Sequence, residues 1–156
     1  MPLTIIKALA GEPVPVYGRG LNVRDWLFVD DHVEALTLVL ERGRAGETYN
    51  IGGDAERRNI DAVSAICTLM DRLSLCPTRS SHLDLITFVP DRPGHDYRYA
   101  IDCEKIKAEL GWSPRHSFEQ GLQLTVQWYI ENRAWWEPLL ARHDAAIRRG
   151  MAKTSA

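Results

Sequence analysis

A chain of 156 residues is long enough for one domain with a sizeable core. Apolar residues make up 45% and charged residues 26%, and a net charge of −2 supplies no field that would draw in nucleic acid or an anionic membrane. No run approaches the ~20 apolar residues of a membrane span, the first residues do not read as a secretion signal, and Cys67, Cys76 and Cys103 are odd in number without a Cys-x-x-Cys pair. That pattern favours reduced thiols in a cytoplasmic protein over a disulfide or metal framework.

The chain opens on an apolar helical run, Thr4 to Ala10, with Gly11 as its C-cap. Pro13-Val14-Pro15-Val16-Tyr17 follows as an extended segment whose two prolines suit a sheet edge. Gly18 to Asn22 reads as a turn, and Arg24 to Val29 is extended again. Asp31 is the expected N-cap of the next helix, with Glu34 completing a capping box. That helix sets Val33, Leu36, Val39 and Leu40 on one face and ends near Gly43 or Gly46. Thr48 to Ile51 is predicted as a short strand running into Gly52-Gly53.

Asn59 is expected to cap a helix that buries Val63, Ile66, Cys67, Met70 and Leu73. Leu85 to Val89 reads as a strand feeding the polar string Asp91-Arg92-Pro93-Gly94-His95-Asp96. Asp102 caps a short helix that Gly111 stops. Ser117 and Gln120 form a capping box ahead of a long helix carrying Leu122, Val126, Tyr129 and Ile130, with Trp135 and Trp136 near its end. The alternation of element types predicts an α/β arrangement. The basic, alanine-rich segment 138–156 reads as a peripheral tail, frayed at its tip.

Three polar clusters stand where extended segments give way to loops or helices, the positions at which open α/β folds bind ligands. Arg24 follows the Gly18-x-Gly20 turn and Tyr17; its planar fork matches phosphate oxygens, and a surface pairing with a carboxylate is the competing explanation that spacing alone favours. Asn59 marks a helix start, where free amides attract anions; a plain cap is the competing explanation. Asp91 to His95 combines an acid, a fork donor, an imidazole and a Pro-Gly turn able to bring Arg92 and His95 onto one ligand. A polar loop without function has the same composition.

Several signatures are missing. Gly18-x-Gly20 lacks a third glycine in register and precedes no helix pattern, so it is not a dinucleotide fingerprint. No tyrosine is followed four residues later by lysine, and there is no GxSxG, HExxH or P-loop. His32, His82, His116 and His143 have no partners at metal-ligand spacing and read as structural or surface residues.

Taken together, longer strings are more specific than any single cluster. Leu9 to Gly18, Val23 to His32 and Thr48 to Gly53 resemble the extended short-chain dehydrogenase/reductase superfamily. Within it, Arg58 to Asp61, Leu85 to Val89, Asp91 to Asp96, Arg98 to Asp102, Glu109 to Trp112, Thr125 to Tyr129 and Trp135-Trp136 look like the dTDP-glucose 4,6-dehydratase family, over roughly Pro2 to Trp136. The resemblance implies an α/β fold: the C-terminal substrate-binding region of an extended short-chain dehydrogenase/reductase, with most of the Rossmann domain absent. Residues 1–137 would be the nucleotide-sugar-binding region, and about 24–53 within it the last strand and helix of the Rossmann part; the tail 138–156 departs from the family.

The family enzyme is a lyase of deoxysugar biosynthesis (rhamnose included). It oxidises the glucose C4 hydroxyl with NAD⁺, eliminates water across C5 and C6, and returns the hydride to C6. The family's NAD-binding glycines, Tyr-x-x-x-Lys pair and Asp-Glu dehydration pair precede the part matched here. No catalytic, cofactor or metal residue carries over, and this chain alone is expected to bind no NAD and to be inactive. Substrate contacts do carry over. By resemblance Pro15, Val16 and Tyr17 border the thymidine, Arg24 and Asn59 hold the diphosphate portion, and Asp91, Arg92, Pro93, Gly94 and His95 close over the nucleotide. The implied partners are a dTDP-sugar and a further chain, either a second copy or another polypeptide, covering exposed apolar surface. A fragment of another nucleotide-sugar epimerase or decarboxylase, or a non-catalytic interaction module, are the rival readings.

Overall fold

The computed structural model describes residues 1–73 and 81–140; Cys76, His143 and the tail from 141 onward lie outside the described residues. Pro2 sits in the first turn of helix α1 (Pro2–Leu9), where its missing N–H costs nothing, and Gly11 takes φ +68° just past the helix end. Strand β1 (Val14–Tyr17) follows, then β2 (Val23–Asp25), helix α2 (Val29–Arg42), β3 (Glu56–Arg58) and helix α3 (Asn59–Arg72). A 3₁₀ turn (His82–Leu85) leads into β4 (Ile86–Val89), and helices α4 (Glu104–Leu110) and α5 (Phe118–Glu131) follow; residues 133–140 are again helical.

Two small sheets result among the described residues. β1 and β4 run parallel, Val14 opposite Ile86 through Tyr17 opposite Val89, with α3 in the crossover between them. β2 and β3 are antiparallel, Val23 opposite Arg58. Among the described residues β1 pairs only with β4 and so lies at a sheet edge, where Pro15 is tolerated.

One core joins α1, β1, α3 and α5 through Ile5, Ala8, Val14, Ile66, Met70, Leu122 and Val126. Complete burial of side chains such as Ile5, Ile66 and Met70 contributes about 1.5–3 kcal/mol each. Cys67 of α3 is also buried, and burial, reinforced by the nearby Asp71 charge, pushes its thiol up to about 11. A second core gathers Ala35 of α2 with Cys103, Ile106 and Trp112. His82 is buried and engages Asp71, and His116 engages Asp31, which makes both structural histidines.

Local signals held where the chemistry is local. The Ser117–Gln120 box closes in both directions, and Gly111 adopts φ +70° after α4. Five expectations need correction, the first being Leu73, which lies just past the end of α3 and is exposed where the stripe was to bury it. Asp31 is not an N-cap: α2 starts two residues earlier behind Phe28, and the Asp31 carboxylate accepts from the Arg115 and His116 amides instead. Asn59 is the first residue of α3, behind Arg58, and caps nothing with its side chain. Residues 48–51 form no strand, because no backbone among the described residues lies alongside to pair with them; Lys105 and Glu109 hold Thr48 and Tyr49 from the side. Finally, α2 turns Ala35, Leu38 and Val39 to the core and leaves Val33, Leu36 and Leu40 exposed. Among the described residues no helix is long and apolar enough to cross a membrane.

Candidate functional site

The turn after β1 shapes the site. Gly20 takes φ +68°, and a Cβ there would lie 2.7 Å from Val16 Cγ1 and 2.9 Å from Ile60 Cβ, so only glycine lets the start of α3 approach β1 this closely. The Ile60 amide then donates to the Gly20 carbonyl and the Asn59 amide to the Asn22 carbonyl, both at 2.9 Å. Those helix-start amides are therefore already used. What Asn59 offers a ligand is its carboxamide, which hydrogen-bonds to none of the described residues.

Along β2 the side chains alternate. Asp25 accepts from the Gly53 and Ala55 amides at 2.7 and 2.8 Å and fastens the preceding loop to the sheet. Its neighbour Arg24 lines a cavity of about 330 Å³, and Trp26 lines the same cavity. The walls are Pro15, Val16 and Tyr17 of β1, Ala62, Val63 and Ile66 of α3, and the first residues of α1; Asn59, Arg92 and His95 supply the remaining polar groups.

The 91–96 loop is fastened from below by Asp91. Its carboxylate accepts from the Arg92 amide at 2.8 Å and contacts His95 Nδ1 at 2.6 Å. The His95 ring and the Arg92 amide hold the Asp91 carboxyl below the usual carboxylate range. Gly18 (φ +55°) packs directly on this carboxylate: a Cβ there would lie 3.0 Å from Oδ2. With Nδ1 committed to Asp91, Nε2 is the His95 nitrogen left for a ligand. Arg92 stacks 5.0 Å over the Tyr17 ring and His95 meets that ring edge-on at 6.2 Å, so loop and strand lock together.

The structure thus brings Pro15, Val16, Tyr17, Arg24, Asn59, Arg92 and His95 around one cavity. Pro93 and Gly94 line an adjoining cleft of about 250 Å³ with Asp96 and Tyr99. Asp91 lines neither and supports the loop. Sequence reasoning missed Trp26, although its position two residues after Arg24 in an extended segment is the signal for a shared side. Tyr99 was also missed; its place depends on a pairing with β2 that no local pattern announces.

Charge sets the ligand class. Arg44, Arg58, Arg98 and Arg115 are each paired with a carboxylate. Among the described residues Arg24 and Arg92 are paired with none; their contacts are ring faces and backbone carbonyls. Uncancelled guanidinium groups beside an apolar wall suit an anion with an aromatic or apolar body. Among the described residues no cluster of ligands could hold a metal ion. Among the described residues neither sheet has more than two strands, and at the start of α3 the Asn59 and Ile60 amides are already taken by the Asn22 and Gly20 carbonyls.

The family model for GDP-mannose 4,6 dehydratase matches residues 1–125. The chain is 54% identical over 151 residues to a probable dTDP-glucose 4,6-dehydratase of Sinorhizobium fredii, covering 97% of this chain and 43% of that protein. Among solved structures it is similar to dTDP-glucose 4,6-dehydratase from Bacillus anthracis in complex with NAD (TM-score 0.76, 51% identity, 88% of this chain and 41% of the other). It is also similar to a UDP-glucose 4-epimerase with UDP-glucose from Thermotoga maritima (TM-score 0.68, 30% identity, 82% and 38%). The chain therefore spans about two fifths of the length of these proteins.

Proposed function

This chain belongs to the GDP-mannose 4,6 dehydratase family, and from that membership we propose that it is the substrate-holding part of a dTDP-glucose 4,6-dehydratase. The observation that carries this reading is the pair of carboxylate-free guanidinium groups, Arg24 and Arg92, converging with Asn59 and His95 on a cavity with an apolar wall. A diphosphate presents about two negative charges, and charge-assisted hydrogen bonds are about twice as strong as neutral ones. Arg24 and Asn59 hold that diphosphate. Pro15, Val16 and Tyr17 border the thymidine, and the 91–96 loop closes over it with Arg92 and His95.

These residues bind and orient; the family's hydride and dehydration chemistry belongs to residues this site does not contain. NAD supplies the hydride acceptor in the parent reaction, and the chain alone is inactive. Binding energy from the nucleotide, remote from the reacting carbons, fixes the sugar for that chemistry. The epimerase reading shares the fold, but identity to the solved dehydratase is 51% against 30% for the solved epimerase. Binding of dTDP against UDP by the purified chain tests the choice, and a chain that binds neither is an interaction module instead.

A second chain is part of the same proposal. Val29, Val33, Leu36 and Leu40 of α2 are exposed at helical spacing, while Ala35, Leu38 and Val39 on the other side of the helix face the core. A helix apolar on two sides is built to be covered on both. We expect a second polypeptide there, and a further copy of this chain where no other is present. Sedimentation velocity should show concentration-dependent self-association that Leu36→Glu abolishes without unfolding the chain. A wild-type monomer at every concentration contradicts it.

A further inference from the structure

We infer that Tyr99, together with Asp96, is a positioning residue that holds the Arg24 guanidinium ready for the diphosphate; this rests on the reading of Arg24 as a diphosphate ligand. Residues 97–99 lie along β2: the Val23 amide donates to the Tyr97 carbonyl at 2.7 Å and the Tyr99 amide to the Val23 carbonyl at 3.1 Å. That pairing sets the Tyr99 ring under Arg24, whose Cζ stands 4.5 Å from the ring centroid.

Two carbonyls fix the guanidinium in its own plane. One terminal nitrogen donates to the Val23 carbonyl at 2.6 Å and the other to the Asp96 carbonyl at 2.9 Å. The Asp96 carbonyl is itself held by Asn22 Nδ2 at 3.1 Å. The Tyr99 hydroxyl donates to the Asp96 carboxylate, and Asp96 makes no ion pair with Arg24. The consequence is specific. A carboxylate clamp would orient the guanidinium and also cancel its charge. A ring face and two neutral carbonyls orient it and leave the charge for a ligand, which then pays less for ordering the side chain.

The test is a thermodynamic cycle on dTDP binding to the 156-residue chain, measured by calorimetry. Tyr99→Leu should weaken dTDP about 3- to 10-fold in the wild-type background and have no further effect in the Arg24→Ala background. Tyr99→Phe keeps the ring but releases the Asp96 carboxylate toward Arg24; its loss should be reversed by adding Asp96→Asn. No loss in Tyr99→Leu, or the same loss in both backgrounds, overturns the proposal while leaving the role of Arg24 intact. A wild-type chain that does not bind dTDP sinks the functional reading instead. The positioning claim is then decided without ligand by NMR: the Arg24 Nε–H resonance should carry a ring-current shift that Tyr99→Phe keeps and Tyr99→Leu removes. An unchanged resonance in Tyr99→Leu overturns it.

Discussion

Arg24→Ala is expected to weaken dTDP binding by about 10- to 100-fold, the range set by the loss of hydrogen bonds to a charged group. The side chain donates to two backbone carbonyls and stacks on one ring, and it anchors no carboxylate, so its removal leaves no buried charge behind. Stability should therefore change little, which separates the binding effect from unfolding. Arg92 lines the same cavity and retains part of the anion affinity. Arg24→Lys should fall between wild type and alanine, because an ammonium keeps the charge but loses the planar fork. In a full-length enzyme carrying this region the effect belongs mainly in KM. Equal losses in kcat and kcat/KM with KM unchanged would assign Arg24 to the transition state instead.

Asp31→Ala should lower stability by about 1.5–3 kcal/mol, the cost of losing hydrogen bonds to a buried carboxylate and leaving its donors unpaired. Asp31 is 1% exposed. Its carboxylate accepts from the Arg115 amide at 3.2 Å and the His116 amide at 3.0 Å, and contacts His116 Nδ1 at 2.8 Å, so it ties α2 to the segment entering α5. Burial raises its affinity for a proton, but the His116 ring and the two amides together outweigh burial and hold the carboxyl below its ordinary value. A carboxyl whose folded pKa is depressed stabilises the fold above its unfolded value, about 3.9, and that stability is lost as pH falls through the folded value. Urea melts at pH 7 should show the full deficit in Asp31→Ala, and the deficit should shrink below pH 4. A variant within 1 kcal/mol of wild type at pH 7, on the order of a surface substitution, would contradict this account.

Much of the fold was legible because its signals are local. Ser117 and Gln120 satisfy each other across one helical turn, and Gly11 and Gly111 stop helices through their own backbone freedom. The missed features depend on distant partners. Asp31 reads as an N-cap until its acceptors prove to be filled from more than eighty residues away. Asn59 reads as a cap, but the extended Arg58 takes that position and Asn59 is already the first helical residue. β3 consists of Glu56, Arg57 and Arg58, all exposed, so no apolar alternation announces it. Residues 48–51 alternate well enough to suggest a strand, yet pairing needs a neighbour that the described residues do not supply.

The site divides in the same way. Each polar cluster was visible as residue types suited to an anion, and the structure brings Arg24, Asn59, Arg92 and His95 around one cavity. The supports were invisible: Asp91 lies beneath the loop, and Tyr99 reaches Arg24 only because residues 97–99 run beside β2. Residue type pointed to what could touch a ligand. Tertiary pairing decides what holds those residues still.

The most direct test is calorimetric titration of the purified 156-residue chain with dTDP and with UDP. Saturable binding of one dTDP per chain is expected, tighter than UDP and weakened about 10- to 100-fold in Arg24→Ala, with no turnover of dTDP-glucose when NAD is added. Binding of UDP as tight as or tighter than dTDP, or binding of neither, would contradict the assignment of this cavity to a dTDP-sugar.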